Sequence, residues 1–222
     1  MITIETLYGE CHEAHGLKIR NQVNNLFQKH PRITAIRVDL HYPPVIDNGD
    51  TITCFPNLSP GEISRFRNSL NAKINADQHR KKQQGKRTYA TSVCIIWAKE
   101  YTQSFKCHYH VCLFFNKDAY YHLGDYERSD TLRGLITGAW YSALGLELED
   151  HQGLVHFPVN GRYILDINDP DFPEQYQRLL ARLDYLTKLD TKASGQRNFG
   201  YMRIPLYSIT DWHRSPISDS HP

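Results

Sequence analysis

An alternating segment, CHYHVCLFF at residues 107–115, constrains the fold more than any other part of the chain. Alternate residues of a β-strand share one face of the sheet and lie about 6.5 Å apart. One face of this strand is a continuous apolar row that we expect to pack in the core, made of Tyr109, Val111, Leu113 and Phe115. The residues that share the opposite, non-core face are His108, His110, Cys112 and Phe114.

Strand and helix patterns follow one another in a mixed order along the rest of the chain. Alternation and β-branched composition predict strands at residues 33–42, 51–55, 88–100, 154–157, 163–165 and 199–206. Helical spacing of apolar residues predicts helices at residues 15–30, 59–80, 132–144 and 172–190. The tetrapeptide SPGE at residues 59–62 is typical of a capping box. Residues 101–106 suit a hairpin loop, so the sequence predicts an α+β fold with a mainly antiparallel sheet.

Length and charge limit the classes of protein that need to be considered. The chain has 222 residues, and we expect one domain over residues 1–212, with a helical extension at 1–30 and a disordered tail at 213–222. The chain has 26 basic residues and 24 acidic ones, so its net charge is small and any nucleic-acid site must come from local clustering of basic residues. The chain has no secretory signal pattern and no apolar run of membrane-spanning length. Five cysteines therefore suggest reduced thiols in a cytoplasm.

A carboxylate at the end of the preceding strand strengthens the hypothesis that the two histidines bind a metal ion. Glu100 lies eight residues before His108, across the expected hairpin loop, so its side chain can reach a cation that His108 and His110 hold. Such a set leaves coordination positions open, as in catalytic sites, and its nitrogen and oxygen ligands suit Mn²⁺ or Mg²⁺. Two alternatives stay open: ordinary surface histidines, and a zinc site that includes Cys112.

A tyrosine in the last predicted helix is a candidate nucleophile. On a helical wheel, Tyr185 lies opposite the leucines, in a stripe with four cations: Arg178, Arg182, Lys188 and Lys192. Cations favour the phenolate and also hold phosphate. The alternative is an exposed aromatic residue on a solvated basic face.

A second basic cluster follows the predicted helix at residues 59–80. Phosphate contact is one function that it could serve, and a solvated helix end is the other; its members are Arg80, Lys81, Lys82, Lys86 and Arg87. On the first strand, Asp39 and His41 share the polar face, where we expect surface or supporting roles rather than metal ligation.

These motifs together resemble the His-hydrophobe-His (HUH) endonucleases, which include rolling-circle replication initiators and relaxases. The resemblance spans about residues 33–202 and is closest to the prophage-borne, inovirus-type replication proteins. It rests on HYH at residues 108–110, Glu100, YLTK at 185–188 and the stretches ITAIRVDL, FNKDAYY and GLVHFP. It implies a five-stranded antiparallel sheet with flanking helices, similar to RNA-recognition folds.

The resemblance also implies an activity. His108, His110 and Glu100 would hold a divalent metal, and Tyr185 would attack a single-stranded DNA phosphate, giving a 5′-phosphotyrosyl link and a free 3′-hydroxyl. Lys188 matches the lysine of the family's Y-x-x-K motif. Tyr109 is bulkier than the usual aliphatic middle residue, and the active face carries a single tyrosine.

The implied setting is a replication origin in the cytoplasm of a bacterial host. The chain has no Walker A pattern, so a separate helicase and other replication proteins would be its partners. Two other functions stay open: a non-catalytic nucleic-acid-binding module on an RRM-like sheet, and a zinc-dependent hydrolase in which Tyr185 is incidental.

Overall fold

Eight strands and four helices make up the described part of the chain. The computed structural model describes residues 2–6, 8–43, 56–101, 107–125, 128–149, 152–189 and 197–201. The strands are β1 Thr3–Thr6, β2 Gly9–His12, β3 Arg32–His41, β4 Cys94–Tyr101, β5 Cys107–Asn116, β6 Val155–His156, β7 Arg162–Asp166 and β8 Phe199–Tyr201. The helices are α1 Glu13–Lys29, α2 Glu62–Gln83, α3 Leu132–Leu144 and α4 Phe172–Asp184. The predicted α+β class with a mainly antiparallel sheet is confirmed.

Within the described residues the main sheet has six strands, whereas the resemblance implies five. Its order is β6-β3-β5-β4-β8, and β7 also pairs with β3. β6 pairs with Asp39 and Leu40, whereas β7 pairs with residues 32–36, so the two short strands divide one edge of β3 between them. β4 and β5 form the expected antiparallel hairpin, in which Glu100 pairs with His108.

Both faces of the sheet carry helices. The apolar row of β5 lies in the core, as predicted, and α2 and α3 pack on it, with Phe66 and Trp140 buried there. α1 and α4 pack on the other face, where Cys112 and Phe114 are buried with the leucines of α4. The prediction that this second face lies outside the core is therefore wrong for most of its length, because Cys112 and Phe114 are needed to cover α1 and α4.

Several element boundaries differ from the prediction. A two-stranded antiparallel ribbon, β1–β2, precedes α1 and was not predicted. β4 begins at Cys94 rather than at residue 88. α2 begins at Glu62, after Gly61 in the left-handed region at φ 95°, and no side chain caps it, so the predicted capping box is wrong. Glu62 instead accepts hydrogen bonds from Tyr42, which follows β3, and from Tyr109 of β5.

The last predicted helix is shorter than the sequence pattern indicated. α4 ends at Asp184, and a single 3₁₀ turn, Tyr185–Thr187, follows it. The predicted strand at residues 51–55, the loop at 102–106, the end of the last strand at 202–206 and the tail at 213–222 lie outside the described residues. Among the helices that are described, none is both long and apolar enough to cross a membrane.

Candidate metal and nucleophile site

The three predicted metal ligands converge at the end of the β4–β5 hairpin. Glu100, His108 and His110 each offer one ligand atom, and these atoms lie within 4.8 Å of one another. The Nε2 atoms of the two histidines are 3.0 Å apart, and Glu100 Oε2 is 3.2 Å from His110 Nε2. Neighbouring ligands of an octahedral ion with bonds of about 2.1 Å are about 3 Å apart, so this donor set fits Mn²⁺ or Mg²⁺.

A carboxylate on the neighbouring strand fixes the orientation of one ligand. His110 Nδ1 bonds to Asp39 Oδ1 at 2.5 Å, where β3 pairs with β5. The buried Arg37 donates from Nη1 to the same Asp39 oxygen at 2.6 Å. A proton on Nδ1 leaves Nε2 of His110 with a lone pair that is directed at Glu100 and His108. Asp39 thus has the supporting role that its face of the strand allowed, and the role of Arg37 was not predicted.

The pKa values of these groups reflect burial and close pairing. Burial alone would raise the pKa of Asp39, but the bond to His110 and the Arg37 charge outweigh it and hold that pKa well below its usual range. Burial lowers the pKa of His110, yet its bonds to Asp39 and Glu100 raise it overall. The pKa of His108 is lowered by burial and by His110 and His41. These shifts favour an ionised Asp39 and a neutral His108, whereas His110 holds its proton more firmly and must release the one on Nε2 before a cation can bind there.

Tyr185 lies directly against this cluster. Its ring meets the His110 ring edge to face, with 5.0 Å between the ring centroids. The ring of Tyr8, in the turn between β1 and β2, also packs on Tyr185, with 5.4 Å between the ring centroids and a T-shaped arrangement. The N-terminal ribbon thus contacts the tyrosine that lies beside the candidate ligands, a contact that no sequence pattern indicated.

The cationic stripe predicted around Tyr185 is not formed as a helical face. The helix ends before Tyr185, and Lys188 is extended, with its backbone in a β-bridge to Cys11. Burial raises the pKa of the Tyr185 phenol, and Glu100 raises it further. Arg37 and Arg182 lower this pKa, so Arg182 acts in the predicted direction, but burial and the carboxylates outweigh the two cations.

The remaining predicted DNA contacts are spread over the molecule. Arg178 is exposed and pairs with Glu174, one turn away on α4. Arg80 and Lys81 form ion pairs with the buried Asp77. The other cations of this cluster, Lys82, Lys86 and Arg87, are exposed at or beyond the end of α2. Because this segment leads into the start of β4, it lies near the opposite end of that strand from Glu100, and Lys192 lies outside the described residues.

Known proteins resemble the chain over nearly its whole length. The model of the YagK/YfjJ C-terminal domain family matches residues 3–201. The uncharacterized protein YagK of Escherichia coli K12 is 58% identical over 205 residues, which cover 90% of this chain and 99% of YagK. The uncharacterized protein YfjJ of the same organism is 39% identical over 207 residues, which cover 91% of this chain and all of YfjJ. Among solved structures, none matches the chain significantly.

Proposed function

The chain belongs to the YagK/YfjJ C-terminal domain family, and we propose that it is a metal-dependent endonuclease that nicks and rejoins single-stranded DNA. Tyr185 is the nucleophile in this proposal, and Glu100, His108 and His110 are the metal ligands. The fold would be of the HUH type, and the reaction would initiate rolling-circle replication of a phage or plasmid-like element, with helicase and other replication proteins supplied separately.

One observation carries the proposal: the Tyr185 ring touches the His110 ring although the two residues are far apart in the sequence. A phenol and an open-sided set of three metal ligands are the two parts that phosphotyrosyl chemistry needs within reach of one phosphate. When bound, a divalent cation supplies Lewis-acid polarisation of the phosphate and positive charge that opposes the effect of Glu100 on the phenol.

The chain's own residues account for the remaining steps. The Tyr185 oxygen attacks the scissile phosphorus, a bond from that oxygen to phosphorus forms, and the bond from phosphorus to the 3′ oxygen breaks. The phenol proton is balanced by the proton on the released 3′-hydroxyl. In this proposal Arg182, whose charge acts on the phenol, holds the phosphate, and we assign the same role to Lys188. Rejoining is the reverse attack by a 3′-hydroxyl, and it needs no ATP.

The test is a denaturation-resistant adduct between the protein and single-stranded DNA. A pool of random-sequence oligonucleotides is incubated with the protein and Mn²⁺, labelled at the 3′ end in one set and at the 5′ end in the other. A 5′-phosphotyrosyl link transfers the 3′ label to the protein and leaves the 5′ label on a free, shortened strand. We expect the adduct to vanish in Tyr185→Phe and in the double variant His108→Ala, His110→Ala.

Tyr176→Phe is the matched control, because this tyrosine lies in α4, before the 3₁₀ turn that carries Tyr185, and its hydroxyl bonds to Asn24 at 2.7 Å. Adduct formation should persist there. Binding without cleavage in every variant would favour a nucleic-acid-binding module and overturn the proposal. Cleavage that survives Tyr185→Phe and leaves no adduct would favour a metal-dependent hydrolase instead. Where the adduct does form, sequencing the captured DNA identifies the preferred nicking sequence.

A further inference from the structure

One buried carboxylate lies behind the candidate metal site, on the opposite face of the sheet. Glu62 is the first residue of α2 and is 6% exposed. Its Oε1 atom accepts hydrogen bonds from the hydroxyl of Tyr109 at 2.6 Å and that of Tyr42 at 2.7 Å. The ammonium of Lys99 donates to the same oxygen at 3.1 Å. A single oxygen therefore gathers side chains from β4, from β5 and from the residue that follows β3.

The register of the hairpin makes this arrangement relevant to the metal ligands. Tyr109 lies between His108 and His110 in β5, and Lys99 precedes Glu100 in β4. Tyr109 and Lys99 are direct partners in the ladder, as are His108 and Glu100. Because successive residues of a strand point to opposite faces, Tyr109 and Lys99, the two strand residues that bind Glu62, lie on the face opposite the three candidate ligands.

We infer that Glu62 is a positioning residue of the metal site. Through its bonds to Tyr109 and Lys99, Glu62 holds the two ligand-bearing strands at a fixed separation. The inference rests on the metal site of the proposed function. It also accounts for the tyrosine at the middle of the HYH motif: an aliphatic residue would fill the core there but could not bond to Glu62. The side chain that a capping box would use at the helix start is engaged by the strands instead.

The hydroxyl of Tyr109 and the charge of Lys99 can each be removed with little change in the shape of the side chain. Tyr109→Phe deletes the bond to β5 and keeps the aromatic ring, which packs against Trp97 and Trp140. Lys99→Met deletes the bond to β4 and carries the test if Tyr109→Phe does not fold. Tyr42→Phe is the matched control, because it removes an equal hydroxyl from the same Glu62 oxygen but lies in no ligand-bearing strand.

The measurement is the affinity of each folded protein for Mn²⁺, read from the electron paramagnetic resonance signal of the free ion. We expect Tyr109→Phe and Lys99→Met each to weaken Mn²⁺ binding by about tenfold or more, as loss of outer-shell support does elsewhere. Tyr42→Phe should stay within about twofold of the wild type while losing a similar amount of thermal stability.

Equal affinities in all four proteins would overturn the inference and leave the proposed function standing. Equal losses in Tyr42→Phe and Tyr109→Phe would overturn it too, because the effect would then follow stability alone. A wild type that binds no Mn²⁺ would remove both the inference and the metal site. The wild type could also bind Mn²⁺ and show the expected order of Mn²⁺ affinities among the variants, yet form no DNA adduct. That result would support the positioning role of Glu62 and refute the proposed nicking activity.

Discussion

The ring of Tyr185 stands edge-on against the ring of His110, with 5.0 Å between their centroids. Each ring has a further partner: the ring of Tyr8 packs on Tyr185, and Asp39 bonds to His110. The contact therefore joins the N-terminal ribbon, the end of α4 and the centre of the sheet at one point. In the proposed nicking reaction, a preformed contact of this kind would limit the rearrangement that is needed before a phosphate enters between the phenol and the candidate ligands.

Replacing Asp39 with asparagine should weaken metal binding without unfolding the protein. Asparagine can still accept a hydrogen bond from His110, but it loses the charge that favours the proton on Nδ1 and that pairs with Arg37. We expect about a tenfold to hundredfold loss of Mn²⁺ affinity by titration calorimetry. His156→Ala is the control, because that exposed side chain lies 3.4 Å from the other Asp39 oxygen. An unchanged affinity in Asp39→Asn would remove Asp39 from the site.

Local patterns were enough to predict that Glu100, His108 and His110 converge. The alternation of β5 and the short spacing to Glu100 specify a hairpin, and a hairpin specifies which side chains meet across it. The structure brings Glu100 opposite His108 for this reason. The alternation could not reveal that α1 and α4 would bury Cys112, because a face with mixed residues is compatible with either solvent or a second helical layer.

The position of Tyr185, the candidate nucleophile, depends on tertiary contacts that a helical wheel ignores. The wheel assumed that the helix continued through Lys188, whereas the backbone there pairs with Cys11 of the N-terminal ribbon. Short strands such as β1 and β2 have little sequence signal, so neither the ribbon nor the packing of Tyr8 on Tyr185 could be predicted. Glu62 was misassigned for a related reason: its local motif suggested a cap, and long-range bonds to Tyr42 and Tyr109 prevailed.

Gly200→Ala should destabilise the edge of the sheet. A Cβ atom at this position would lie 2.4 Å from Cζ2 of Trp97, its partner in β4, so either the indole or β8 must move. We expect the free energy of unfolding to fall by about 1–3 kcal/mol in urea denaturation. The control is Gly138→Ala in α3, where the nearest atom, in Lys73, is 3.6 Å away and alanine favours the helix. Equal stability of the two variants would contradict the packing described here.

Acid should remove the stabilising effect of Glu62. Burial alone would raise the pKa of this carboxyl, but its bonds to Tyr109, Tyr42 and Lys99 lower it from 4.5 to about 2. A lowered pKa in the folded state contributes stability that is complete above the unfolded value of 4.5 and is lost as the pH falls toward about 2. Near pH 7 the wild type should be more stable than Glu62→Gln, by at most about 3 kcal/mol.

The measurement is the free energy of unfolding of both proteins in urea at several pH values. The difference between them should shrink steadily from about pH 4.5 downward, while ionisations that the two proteins share cancel. A difference that stays constant, or that grows in acid, would show that the Glu62 charge does not stabilise the fold.

Removing metal should abolish adduct formation and leave the fold intact, because the ligands stand on strands whose other residues are packed on both faces of the sheet. Added Mn²⁺ at about a hundred times its dissociation constant should stabilise the protein by about 2.7 kcal/mol, or raise Tm by about 5–10 °C. Differential scanning fluorimetry with and without EDTA measures the retained fold and the shift in Tm that Mn²⁺ causes.

Tyr185→Phe should keep this shift in Tm, since it removes no ligand, whereas His108→Ala combined with His110→Ala should lose it. A shift that persists in the double variant would place the bound ion elsewhere.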